Sequence, residues 1–135
     1  MRAVRLLVIA LMVIAGPGTA QETTTYVAHS LEPFPGPQAY KDVHSGTTLY
    51  VETDGRHVAA ISEDGKLLWN REPHEDARVS RYRTDKPQII YVGPIAKSSR
   101  YARQKSEKSA AITFNNSQFG LLRIDNGEFQ FLGQD

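Results

Sequence analysis

The side chains best equipped for chemistry in this 135-residue chain are its four histidines, His29, His44, His57 and His74. A zinc centre needs converging donors, typically two histidines one helical turn apart or two residues apart on a strand. None of the four is spaced in that way, and the chain has no cysteine. The richest group is Glu72-Pro73-His74-Glu75-Asp76, one imidazole among three carboxylates, which reads as a solvated turn. Asp42, His44 and Ser45 put an acid, a base and a hydroxyl close together, the parts of a hydrolytic triad. Neighbouring side chains usually point apart, so adjacency in sequence does not make a triad of them. There is no Gly-x-Ser-x-Gly elbow and no phosphate-binding loop. The expectation is therefore no catalytic residue; the alternative is a small exported hydrolase or metal-dependent enzyme using His44 or His74. His57 shares a run with Ala59 and Ile61 and reads as a core-edge histidine with one hydrogen bond.

Calcium loops place oxygen ligands at alternate positions before a glycine. Stepping back from Gly65 gives Asp64, Ser62 and Ala60; from Gly127 it gives Asn126, Ile124 and Leu122. Neither set is a ligand set, so no metal and no cofactor is expected there. The acids of "ISEDGKLLW" belong to a turn.

The segment from residue 77 to 110 offers a different chemistry. It carries nine basic and two acidic side chains, against four basic and ten acidic over 21–76. Arg78, Arg81, Arg83, Lys97, Arg100, Arg103 and Lys105 lie in it with Tyr82 and Tyr101. Guanidinium forks match planar carboxylates and phosphates, and tyrosine rings supply stacking faces. With Tyr101, those basic residues are the expected ligand-binding set. The expected partner is an anionic glycan, a lipid head group or an acidic protein. The net charge of the whole chain is only +1, so a nucleic-acid binder is not expected.

The elements that must position these residues begin after an export signal. Arg2 and Arg5 precede the apolar run Leu6 to Ala15, and Gly16-Pro17-Gly18-Thr19-Ala20 follows. That is the pattern of a signal peptide cleaved after Ala20, and the run is too short to span a bilayer. The protein is then secreted or periplasmic. Residues 21–46 read as a Pro-rich arm, since Pro33, Pro35 and Pro37 alternate and forbid a helix. Residues 47–135 read as a single all-β domain of six to eight antiparallel strands. Short β-branched and aromatic runs there, "ARVSRYR" among them, are divided by Asp54-Gly55, Asp64-Gly65 and Asn126-Gly127. The polar stretch 97–108 lacks an apolar stripe and reads as a charged loop. Asn115-Asn116-Ser117 forms a glycosylation acceptor at an accessible turn.

The stretch 49–69 overlays 112–131 with one residue removed, matching Leu49 to Ile112, Val51 to Phe114, Val58 to Leu121 and Trp69 to Phe131. "HVAAISEDGKLLWN" resembles the end of a β-propeller blade of the quinoprotein type, and "LLRIDNGEFQFLG" is similar with Phe131 in place of tryptophan. The resemblance implies two blade-like units, and no quinone site. A closed propeller needs about four to eight blades. Two units must pack as a sandwich or partial propeller, or assemble with copies of the chain, so a homo-oligomer is a further expectation. Trp69, Phe131, Ile61, Ile124, Leu49, Ile112, Ile90 and Val92 are the expected core. The functional expectation is a small exported bacterial protein serving as a non-enzymatic binding or interaction module. The alternatives are the enzyme named above and a structural subunit of an oligomeric β assembly.

Overall fold

The computed structural model describes residues 31–100 and 108–135. The signal segment, the cleavage site at Ala20, His29, Tyr101, Arg103 and Lys105 lie outside the described residues. The protein is all-β, as its turn and strand pattern implies. The strands are β1 (Gln38–Lys41), β2 (Thr48–Val51), β3 (Val58–Ile61), β4 (Leu67–Arg71), β5 (Ile89–Gly93), β6 (Ser109–Phe114), β7 (Phe119–Arg123) and β8 (Phe129–Gly133). A one-turn helix, α1 (Pro73–Asp76), follows β4. The strands form two four-stranded antiparallel meanders, β1-β2-β3-β4 and β5-β6-β7-β8. The Asp-Gly and Asn-Gly pairs do what their chemistry suggests: Gly55, Gly65 and Gly127 take φ of 72°, 87° and 74° in the turns.

One core joins the two sheets. Leu49, Val51, Val58, Ala60 and Trp69 from the first meet Ile89, Ile112, Phe114, Leu122 and Ile124 from the second. Polar ties reinforce this packing. The Trp69 indole Nε1–H donates to the Ile124 carbonyl at 2.9 Å. Gln38 Nε2 donates to the Ile90 carbonyl at 3.0 Å. The Ile89 amide donates to the Gly55 carbonyl at 2.7 Å. With β5 held against the β1–β2 side and Trp69 of β4 set on the β7–β8 turn, β4 and β8 become the outer edges of their sheets.

Several expectations are corrected. The arm does not run to residue 46, because β1 pairs along β2 from Gln38↔Val51 to Lys41↔Thr48. The described residues before it form no strand, and Phe34 packs on the core. "ARVSRYR" is not a strand, only an irregular stretch with one isolated bridge, Tyr82↔Thr84. Side chains of the β6–β7 turn capture its carbonyls before any strand can: Gln118 Nε2 bonds Ser80 O and Asn116 Nδ2 bonds Tyr82 O. Phe131 is 43% exposed, because β8 is an edge strand and its cross-strand partner is Gly120, which offers no side chain. Ile61 and Ile90 are only half-buried. Ile61 lies one residue past Ala60 in an alternating strand, so it faces away from the core. Asn115 is buried rather than accessible, since its Oδ1 accepts from the Gln88 amide and its own amide from the chain pairs back to Gln88 O.

Candidate functional site

Where the sheets part, between β4 with α1 on one side and β7–β8 on the other, lies a cleft of about 440 Å³. Its walls mix polar and apolar groups: Arg71 ends β4, Asp76 and Ala77 come from α1 and its end, Ser109 starts β6, and Arg123, Glu128 and Gln130 come from the β7–β8 hairpin with Leu121 and Phe129. That volume falls in the range of small-ligand sites. Arg71 forms no ion pair among the described residues. Arg123 is held by Asp125 in a two-pronged contact, Nε–Oδ1 3.0 Å and Nη2–Oδ2 2.7 Å, which pulls the Asp125 carboxyl below its ordinary value. Arg123 also borders a second cleft of about 420 Å³ at the sandwich end, with Asp42, Ser45, Thr47, Leu68 and Lys108.

Asp42 and Ser45 meet there, but as a turn. Asp42 is buried, and its Oδ2 accepts from both the Ser45 amide (2.9 Å) and the Ser45 hydroxyl (2.6 Å). The Ser45 Oγ in turn accepts from the Thr47 amide. These bonds cap the β1–β2 connection, and His44 is exposed and takes no part in them. His74 is also placed, and it is buried. Its Nε2–H donates to Gln118 Oε1 at 2.7 Å, and its ring stands edge-on to Phe114 at 5.2 Å. The Gln118 amide is oriented by its other bonds, since Nε2 must be the donor to the Ser80 carbonyl at 2.9 Å. Oε1 therefore accepts from both His74 and Asn116 Nδ2. This closed network fastens the 77–88 connection to sheet two. Neither cleft is lined by a histidine.

The predicted basic set is divided. Arg78, Arg81 and Arg83 precede β5, and of these Arg83 reaches Asp135. Lys97 and Arg100 follow β5, at its other end. Arg81 pairs loosely with Asp85 at 3.5 Å in the open, and such a pair contributes about 0–1 kcal/mol. Arg83 lies over the Tyr82 ring at 4.7 Å and donates to the Asp135 carbonyl.

Sequence reasoning missed a cluster on the β2–β3 loop. Asp54 Oδ1 accepts from the Arg56 and His57 amides at 2.8 and 3.0 Å, and its Oδ2 meets His57 Nδ1 at 2.5 Å. The other ring nitrogen of His57, Nε2, lies 3.5 Å from Glu72 Oε2. Arg56 donates to Glu72 Oε1 at 2.9 Å, and Asn70 donates to Glu52 Oε1 at 2.9 Å. Asp54, Glu52 and His57 bring their donor atoms within 4.8 Å of one another. The Asp54–His57 contact is a hydrogen bond, with a proton held between the two. Desolvation pushes the Asp54 carboxyl up, but the two backbone N–H groups and His57 outweigh it and bring it down to about 2. The hydrogen bond to Asp54 raises His57 above its ordinary value, with Glu72 and Glu52 adding to it against desolvation. The signal was present in sequence: Asp54-Gly55-x-His57 is an aspartate turn whose carboxylate reaches the amide and the side chain three residues on.

Comparison with protein-family models, curated proteins and solved structures gives no match.

Proposed function

We propose that this protein is an exported, non-enzymatic binding module, and that the cleft between β4 and β8 receives its ligand. The observation that carries the reading is Arg71, a guanidinium without an ionic partner among the described residues, in the wall of a cleft of about 440 Å³. A carboxylate or phosphate group is the matching ligand chemistry, with Ser109 and Gln130 near it as hydrogen-bonding groups. This reading moves the anionic ligand from the basic segment, whose arginines and lysines sit at opposite ends of β5, into the cleft. The glycan, lipid or protein that carries the anionic group is set by what fits beside Arg71. Binding is favoured over the enzyme alternative because His74 is committed to Gln118 and His44 lines neither cleft. The resemblance to propeller blades is carried forward as a proposal about the two meanders alone, with no cofactor attached to it.

The test is a titration of the protein with citrate and with inorganic phosphate, followed by amide chemical shifts. Shifts at Ser109, Gly127 and Gln130 that saturate, weaken with added salt and vanish in Arg71→Ala are expected. Shifts confined to residues 78–86 would return the ligand to the basic segment, and none at all for either anion would overturn an anionic ligand. One observation favours the oligomer reading as a second possibility: β4 is an outer edge carrying Leu67 at 61% and Leu68 at 48% exposure. Unpaired strand edges template pairing. Light scattering that gives a monomer for wild type and Leu67→Lys alike would remove it.

A further inference from the structure

We infer that the Asp54–His57–Glu72 bridge is a proton-operated latch that fastens β5, and with it the second sheet, to the first. The β2–β3 loop that holds His57 is also the joint between the sheets. Its Gly55 carbonyl accepts the Ile89 amide at 2.7 Å, and its Asp54 carbonyl accepts Gln88 Nε2 at 3.1 Å. These two bonds start β5. A side chain at Gly55 would meet Phe34 and Gln88, so the arm and the entry to β5 both press on this turn. The Asp54-Gly55 turn is therefore the point at which the start of β5 is tied to the first sheet.

His57 decides how firmly that turn is held. Its Nδ1 sits on the Asp54 carboxylate at 2.5 Å, and its Nε2 faces the Glu72 carboxylate at 3.5 Å. The charged groups around it are Glu52, Asp54 and Arg56 of its own loop and Glu72 just after β4; Gln88, just before β5, bonds the same loop and does not titrate. Only an imidazolium carries a proton on both ring nitrogens. Protonated, the ring can donate to Asp54 and attract Glu72 together, tying the loop to the segment that leads into α1. Deprotonated, one nitrogen is a lone pair facing a carboxylate, and one arm of the bridge is lost. His57 is raised by its acidic neighbours, so the latch is closed below the unfolded histidine value of about 6.5 and opens as pH climbs through the higher folded value. The inference is independent of any ligand in the cleft.

Amide hydrogen exchange tests it, read as protection factors so that the intrinsic pH dependence of exchange drops out. The Ile89 amide should lose roughly tenfold in protection between pH 5.5 and 8.5, the scale of one charge-assisted hydrogen bond. Ile112, in the middle of sheet two, should change much less. In His57→Gln the Ile89 protection should be low and flat over the same range. Glu72→Gln, a milder variant that leaves the Asp54–His57 contact intact, should shrink the loss of Ile89 protection and shift its midpoint down. A wild-type Ile89 protection that is level from pH 5.5 to 8.5, or a slope that survives in a folded His57→Gln, would overturn the latch.

Discussion

Trp69 is the residue on which the union of the two sheets can be tested most directly. Its indole is 9% exposed, and its Nε1–H reaches across to the Ile124 carbonyl at 2.9 Å. Replacing it by phenylalanine keeps most of the ring but strands that carbonyl in the interior. A buried polar group left without its partner costs about 1–3 kcal/mol. Replacing it by alanine also removes the ring and opens a cavity, for a total of about 3–5 kcal/mol. At roughly 4 °C per kcal/mol for a domain of this size, the melting temperature should fall by about 4–12 °C for Trp69→Phe and 12–20 °C for Trp69→Ala. Such a loss is a large share of the roughly 5–15 kcal/mol that holds a typical domain together. The chain has one tryptophan, so its fluorescence disappears in both variants and far-UV circular dichroism must follow the melt. The ordering matters as much as the size: wild type above Phe above Ala, with the Phe step assigned to the hydrogen bond. A Trp69→Phe protein that melts within about 1 °C of wild type would show that the indole is not a tie between sheets, and the account of the core would fail with it.

Gln118 is wholly buried and serves His74, Asn116, Ser80 and Gln134, so Gln118→Leu should lower the unfolding free energy by about 2–4 kcal/mol in urea titrations, with the Ser80 region exchanging first. Gly127 and Gly65 both hold positive φ, but a Cβ at Gly127 meets Trp69 and Arg71 whereas one at Gly65 meets nothing within 4 Å. Gly65→Ala should therefore cost about 1–2 kcal/mol of backbone strain alone, and Gly127→Ala measurably more; equal melting temperatures would refute the collision. Asp54 is held down to about 2, below its unfolded value of about 3.9, so its contribution is present above that value and is lost as pH falls towards 2. Thermal melts between pH 5 and 2 should show a wild-type decline that is shallower in Asp54→Asn, which starts from lower stability.

What could be read from the sequence was what depends on neighbours in the chain. Asp54-Gly55, Asp64-Gly65 and Asn126-Gly127 announced turns because aspartate, asparagine and glycine tolerate the backbone angles a hairpin needs. Leu49 with Val51, and Ile112 with Phe114, announced inward faces by alternation, and all four are buried. The overlay of 49–69 on 112–131 landed on corresponding strands of two meanders with the same topology. Its internal register is different, however. Leu49 lies opposite Ala60, which lies opposite Trp69; Ile112 lies opposite Gly120, which lies opposite Phe131. Trp69 and Phe131 thus occupy matching places, while Val58 and Leu121 do not. The β2–β3 loop is longer than the β6–β7 turn, and the overlay, which keeps one offset from Leu49 through Ile61, does not allow for that difference.

The parts that stayed hidden depend on contacts made far along the chain. "ARVSRYR" has the composition of a strand, but Gln118 and Asn116, 38 and 34 residues away from their partners, take its carbonyls instead. His74 looked exposed among acids, and a glutamine 44 residues on buried it. The same physics explains why so much polar chemistry sits inside a small protein. Without cysteine no disulfide can clamp the two sheets, and a domain of this size has a limited apolar core. Side-chain and turn hydrogen bonds supply the missing constraint: Trp69 to Ile124, Gln38 to Ile90, Gln88 to Asp54 and Ile89 to Gly55 each cross from one sheet to the other. Unlike apolar contacts, such ties respond to protonation wherever a titratable group anchors them. Two of these four end on the Asp54-Gly55 turn, the place where His57 and Asp54 share a proton. The acidic first sheet is therefore more than a solvated surface, since one of its carboxylates sets the strength with which the second sheet is held.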